Sequence, residues 1–183
     1  EKVINPKKLI YFSAAASVSV GAVCLAARAR FGGDLLYSLT VTAFTFFYHI
    51  VMRLLVAAAV TSVRAGRGDD FSFGLGRCER RFYEIIRIKS WKSRVPTYDP
   101  SLFEVRADGL TTLVHNMRNA EVGHAVIAVL SFLPMFFSPV FGGFAAFAVT
   151  SVLSALFDLQ FVAVQRYNRA RVCKTVRMCA ERQ

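Results

Sequence analysis

Ionisable side chains occur inside otherwise apolar stretches of this sequence, at spacings that place them on one face of a helix. His49 and Arg53 are four residues apart, Glu121 and His124 are three apart, and Asp158 stands in the last apolar stretch. Charged groups are costly inside a membrane and mark functional sites there by default. Arg118 lies three residues before Glu121 and joins this set. The candidate catalytic residues are therefore His49, Arg53, Arg118, Glu121, His124 and Asp158.

Removal of a proton from a hydroxyl group is the chemistry that suits this set. Neutral imidazole accepts protons near neutral pH, so we predict His124 as the base and Glu121 as the group that orients its ring. Arg118 or Arg53 would stabilise an oxyanion. A structural interpretation stays open, in which Asp158 is the counter-ion of Arg53 and the Arg118–His124 stretch is a cap with a salt bridge.

A second polar set follows the last apolar stretch. The heptapeptide Gln165–Arg171 interleaves amides and a phenol with arginines, and these donors are more directed than membrane anchoring requires. Guanidinium groups bind phosphate in a bidentate manner, which suggests phosphate recognition, although anchoring alone is the alternative. The candidate substrate-binding residues are Trp91, Lys92, Asn116, Gln165, Arg166, Tyr167, Asn168, Arg169 and Arg171.

Helices that cross a membrane must position these residues. Leu9–Ala27 and Val122–Phe157 contain no Asp, Glu, Lys or Arg, and about 20 apolar residues cross a bilayer. Ser138-Pro139 and Gly142-Gly143 divide the second stretch with a turn. We predict an all-α polytopic membrane protein with a single domain, 1–183, and transmembrane helices at about 9–27, 35–63, 120–137 and 141–165.

The distribution of Lys and Arg predicts the orientation. Basic residues concentrate at the N-terminus, in the segment 64–119 and in the tail 166–183, whereas the opposite loops hold only Arg28 and Arg30. The positive-inside rule then places both termini and the central segment in the cytoplasm. The net charge of +11 is explained by anionic headgroups at the inner leaflet, and we predict no nucleic-acid partner.

The depth of the polar residues predicts a single site. With a rise of 1.5 Å per residue, Glu121, His124 and Asp158 lie within roughly 10 Å of the inner surface, and Arg53 lies roughly 15 Å from it. We therefore expect these residues and His49 to surround one cavity.

The central segment contains an amphipathic pattern. Arg80–Ile88 places Phe82, Ile85 and Ile86 toward one face and cations toward the other, with Trp91 added to the apolar face. This pattern predicts an interfacial helix on the inner leaflet that ends before Pro96.

Three polar stretches occur in order around the last two apolar spans: Phe82–Lys92, Met117–His124 and Val164–Arg171. They resemble the W-K, R-A-E-x-x-H and Q-R-Y-N-R-P-R pattern of the bacterial glycosyl-4,4'-diaponeurosporenoate acyltransferase-like membrane proteins. Asn119 and Ala170 depart from that pattern without removing a candidate chemical group. The resemblance implies acyl transfer at a membrane, and it carries no implication that the acceptor here is a carotenoid.

The leading interpretation is an acyltransferase that moves an acyl group from acyl-CoA to a hydroxyl of a membrane lipid or glycolipid at the inner leaflet. Arg166, Arg169 and Arg171, with Trp91 and Lys92 opposite, would hold the phosphates of the donor. We predict no metal and no cofactor besides this co-substrate. Two alternatives stay open: an intramembrane hydrolase or protease with a Glu/His site, and a non-catalytic lipid-binding or transport component.

Overall fold

The computed structural model describes residues 6–62, 73–95 and 109–180, and within these ranges all regular elements are helices. Four of them are long and apolar enough to cross a membrane: Lys8–Phe31, Asp34–Val60, Thr112–Phe141 and Phe144–Met178. The prediction of an all-α membrane protein with about four spans is confirmed.

The helices of the described ranges follow one another along the chain. Their bounds are α1 Pro6–Phe31, α2 Asp34–Ser62, α3 Arg77–Ile85, α4 Ile88–Trp91, α5 Gly109–Leu130, α6 Ser138–Phe141 and α7 Phe144–Ala180, and short 3-10 turns span Lys92–Arg94 and Leu133–Phe137. Gly32 and Gly33 join α1 to α2 at φ values of 68° and 101°. Only glycine adopts such values without strain, so the chain turns back sharply at this pair.

Two helices extend further than the hydropathy pattern predicts. α5 begins at Gly109 rather than near residue 120, and α7 continues to Ala180 rather than ending near 165. A helix of 37 residues is about 55 Å long, which exceeds a hydrocarbon core of about 30 Å. The loss of apolar residues marks where the membrane ends, whereas the helix continues because its polar residues still form backbone hydrogen bonds.

The described residues cluster into two compact units. The first unit comprises the described residues of Glu1–Ala59 and Val126–Phe157. The second comprises those of Val60–Ala125 and Asp158–Gln183. In the first unit, Gly21 leaves room for the ring of Phe44, since a Cβ there would lie 3.2 Å from it.

The core of the second unit is aromatic and aliphatic. Tyr83, Ile88, Val164 and Tyr167 are buried together, which docks α3 and α4 on α7. Of the predicted apolar face of α3, only Ile86 packs on this core. Phe82 and Ile85 are 54% and 71% exposed. Arg87, at a left-handed φ of 49°, makes the corner between α3 and α4. Pro96 and Pro100 lie outside the described residues.

Candidate functional site

His124 and Asp158 form a hydrogen-bonded pair between α5 and α7 in the second unit. The imidazole Nδ1 lies 2.9 Å from Oδ1 of Asp158, whose side chain is fully buried, while that of His124 is 29% exposed. The ring of Phe161 stacks on the imidazole at 4.5 Å and 11°. The imidazole is therefore held at one edge and on one face, and part of it stays accessible.

This arrangement suits proton transfer. A carboxylate at Nδ1 favours the tautomer with the proton on that nitrogen, which leaves the lone pair on Nε2. The same carboxylate stabilises the imidazolium that forms when Nε2 takes a proton, as in hydrolase triads. The pair of His124 and Asp158 therefore has the parts of a general base and its orienting group.

Glu121, predicted to orient His124, contacts arginines of α7 instead. Its Oε1 lies 2.8 Å from Nη1 of Arg166, and its Oε2 lies 2.8 Å from Nη2 of Arg169. Arg166 also pairs with Glu79 of α3. Arg166 and Arg169, predicted to bind phosphate, are therefore occupied by carboxylates of the protein itself.

The sequence analysis missed three residues that complete this ion-pair network: Glu79, Tyr83 and Phe73. The Tyr83 hydroxyl donates to Oε1 of Glu79 at 3.1 Å, and the ring of Phe73 lies 3.6 Å from the guanidinium of Arg169. Burial raises the pKa of Glu79, but the hydrogen bond and charge of Arg166 outweigh it, so this pKa lies below its ordinary value. Burial, followed by the charge of Glu79, raises the pKa of Tyr83. The i, i+4 spacing of Glu79 and Tyr83 was the available signal.

We expect Glu121→Gln to lower the free energy of unfolding by roughly 2–4 kcal/mol, because it removes the negative charge between two arginines, of which Arg169 is buried. Thermal unfolding in detergent at a fixed scan rate measures the change. The control is Glu84→Gln, an exposed carboxylate of α3, which should cost less than about 0.5 kcal/mol. Equal shifts for the two variants would contradict a stabilising role for the network.

Lys92 and Trp91 contact the protein at the junction with α7. Nζ of Lys92 donates to Oδ1 of Asn168 at 2.9 Å and lies 5.2 Å from the centre of the Tyr167 ring. The indole Nε1 of Trp91 donates to the carbonyl of Ile86 at 2.8 Å. Lys92 therefore faces the polar stretch of α7 as predicted, while Trp91 stabilises the α3–α4 corner.

The other predicted binding residues are spread over α5 and α7. Asn116, Arg118 and Gln165 are half-buried. Arg171 is exposed and lines a cleft of about 880 Å³ between the α3–α4 segment and the C-terminal part of α7. We call this the basic cleft, because six of its lining side chains are cationic: Arg80, Arg87, Lys89, Arg171, Lys174 and Arg177.

His49 and Arg53 belong to the first unit. Arg53 donates to the carbonyl of His49 at 2.9 Å and to the hydroxyl of Ser154 at 2.8 Å, and its guanidinium lies 5.6 Å from the centre of the Phe157 ring. The Ser154 hydroxyl in turn lies 2.9 Å from that of Ser131. These contacts hold Arg53 within its own unit, and its place in a common cavity with His124 stays a prediction.

Within residues 6–62, 73–95 and 109–180, no three His, Cys, Asp or Glu side chains lie close enough together to hold a metal ion. The carboxylates near His124 are instead paired with the imidazole or with arginines. The described site presents imidazole, carboxylate and guanidinium groups.

Comparison with known proteins identifies a family for this chain. The model of the family described as glycosyl-4,4'-diaponeurosporenoate acyltransferase matches residues 71–178, more than half of the chain. No curated protein and no solved structure gives a significant match. The matched region contains all three polar stretches that suggested the resemblance, together with both members of the His124–Asp158 pair. The chain belongs to the glycosyl-4,4'-diaponeurosporenoate acyltransferase family.

Proposed function

We propose that this membrane protein transfers an acyl group from acyl-CoA to a hydroxyl of a membrane lipid or glycolipid, with His124 as the general base. Family membership supports acyl transfer of the glycolipid type. The observation that carries the catalytic assignment is the partly exposed imidazole held by the fully buried carboxylate of Asp158 at 2.9 Å. A residue with only a packing role would not need a carboxylate that sets its tautomer.

The proposed reaction balances with these groups alone. Nε2 of His124 takes the proton of the acceptor hydroxyl as its oxygen attacks the thioester carbonyl. The tetrahedral intermediate expels the thiolate of CoA, and the imidazolium returns its proton to that sulfur. Asp158 stabilises the imidazolium between these steps. Arg118 or Arg53 stays the predicted group for the oxyanion.

We place the reaction at the inner leaflet of a bacterial plasma membrane, with both termini in the cytoplasm. The Lys and Arg distribution supports this orientation. Since α7 is longer than the hydrocarbon core, its basic C-terminal part would lie among anionic headgroups and next to a donor from the cytosol.

Cysteine labelling tests the orientation. In a variant without native cysteines, we expect Lys174→Cys to react from the cytoplasmic side, and Ser138→Cys and Asp34→Cys to react from the opposite side. Asp34 is used because the adjacent Gly33 has a positive φ that a cysteine would strain. Labelling of Lys174→Cys and Asp34→Cys from one side would exclude the four-span topology. Arg67, another predicted cytoplasmic position, lies outside the described residues.

Product analysis tests the activity. The purified protein in detergent or nanodiscs receives labelled acyl-CoA and a bacterial membrane lipid extract, and mass spectrometry identifies labelled products. We expect an acylated lipid or glycolipid that is absent with His124→Gln. Release of labelled free fatty acid without an acylated lipid would favour the hydrolase alternative. Co-purification of a lipid without any turnover would favour a non-catalytic binding role.

A further inference from the structure

The basic cleft combines a concentrated positive charge with aromatic and aliphatic lining residues. Among the side chains that line it, one carboxylate, Glu84, accompanies the six cations, and the buried Tyr83, Ile88 and Tyr167 line it as well. Arg80, Arg87 and Lys89 come from the α3–α4 segment, and the other cations come from α7. The cations therefore approach the same space from both walls.

Five of the six cations of the basic cleft have no carboxylate partner among the residues that the structure describes. Arg80, Arg87, Lys89, Arg171 and Lys174 are exposed, and none of them forms an ion pair with a residue in the described part of the chain. Arg166 and Arg169, five and two residues before Arg171 on α7, are paired with carboxylates. Burial, together with the charges of Arg171 and Lys89, lowers the pKa of nearby Lys92. A bound polyanion would relieve this repulsion.

The length of α7 sets a distance between this charge and the candidate base. Phe161 stacks on His124, and Arg171 and Lys174 follow ten and thirteen residues later on the same helix. At 1.5 Å per residue these positions lie about 15 and 20 Å along the axis from Phe161. A donor that spans this distance must separate its phosphates from its acyl carbon by a long arm. The phosphate of a glycerophospholipid lies only a few bonds from its ester, whereas CoA has an extended pantetheine arm.

We infer that the basic cleft binds the phosphate groups of a CoA thioester, between Arg171 and Lys174 on one wall and Arg80 and Lys89 on the other. This inference rests on the proposed function and names the binding site of its donor. It moves phosphate recognition from Arg166 and Arg169, which the protein's own carboxylates occupy, to cations one turn further along α7 and on the opposite wall. Guanidinium and ammonium groups together suit a ligand with several phosphates.

Binding of unacylated CoA to the purified full chain, measured by equilibrium dialysis without acceptor, tests the inference. We expect the double variant Arg171→Gln/Lys174→Gln to raise the Kd for CoA at least about tenfold, because each of its two substitutions removes a charged contact to phosphate. The control Arg77→Gln/Arg81→Gln removes the same charge from exposed arginines of α3 that do not line the cleft, and should change Kd less than about twofold. CoA lacking its 3'-phosphate should also bind more weakly than CoA.

Several results would overturn the inference. They are an absence of CoA binding by the wild-type chain, an equal loss in the control variant, and turnover with an acyl carrier protein while free CoA does not bind. Displacement of CoA by phosphatidylglycerol vesicles, with vesicle binding lost in the cleft variant, would assign the cleft to lipid headgroups instead. An absence of CoA binding would also remove acyl-CoA as the donor, but acyl transfer with His124 as the base is tested independently by product analysis with another acyl donor. A loss of binding in the control variant, or displacement by vesicles, would overturn the cleft assignment and leave the proposed acyl transfer standing. His124→Gln itself should bind CoA like the wild type.

Discussion

His124→Gln is expected to lower kcat for acyl transfer by about 10²–10⁴-fold, the usual contribution of a positioned general base. Glutamine has a similar reach and forms hydrogen bonds, but it cannot take the proton of the acceptor hydroxyl. The hydrogen bond with Asp158 and the stacking on Phe161 fix the imidazole in place, which supports the choice of His124 as the base. Formation of labelled acylated lipid under saturating donor measures the loss.

His115→Gln is the matched control for this experiment. His115 is a half-buried histidine of the same helix, α5, and has no role in the proposed reaction. We expect it to keep nearly the wild-type kcat. Unfolding temperature and CoA binding show whether each variant is folded. Near-normal turnover by folded His124→Gln would exclude His124 as the base and would make lipid headgroup binding the better interpretation of this polar layer.

Asp158→Asn is expected to lower kcat by about 10²–10⁴-fold as well, although Asp158 is a positioning residue. The carboxylate accepts a hydrogen bond from Nδ1 of His124, whereas an asparagine NH₂ would donate to that nitrogen and favour the tautomer protonated on Nε2. In that tautomer no lone pair faces the acceptor. The amide also fails to stabilise the imidazolium. The change nearly preserves the volume of this fully buried side chain.

A double-mutant cycle separates positioning from structural support. If Asp158 acts through His124, the double variant His124→Gln/Asp158→Asn should be no less active than His124→Gln alone. If Asp158 had only a structural role, the loss of activity caused by Asp158→Asn would add to the loss caused by His124→Gln. Asp34→Asn, the same carboxylate-to-amide change at an exposed position of α2, should leave kcat unchanged. Additive losses in the cycle would contradict the orienting role.

The ion-pair network connects the site to the basic cleft. Glu79 on α3, Glu121 on α5 and Arg166 on α7 tie three helices of the second unit together. α5 holds His124, and α3 supplies Arg80 of the cleft. Loss of the network should therefore disturb donor binding before it disturbs the His124–Asp158 pair, which has its own hydrogen bond.

The sequence by itself determined the class of the protein, its four candidate spans and its family. Each of these depends on local properties: uninterrupted apolar runs such as Leu9–Ala27, and motifs such as Met117–His124 that are read along the chain. A helix that crosses a membrane must form all its backbone hydrogen bonds within its own segment. The composition of the segment alone therefore predicts the crossing. The same reasoning identified His124 and Asp158 as costly polar residues in apolar stretches.

Only the tertiary structure decided which of these residues are partners. Spacing places Glu121 and His124 near each other on α5, but it carries no information about which residues of other helices face them. Asp158, 34 residues after His124, takes the place expected of Glu121, and Glu79 on α3 occupies Arg166. Charged groups away from water pair with whichever opposite charge packing brings within reach. That depends on how α3, α5 and α7 dock, which is set by side-chain shape across the whole unit and not by any single segment.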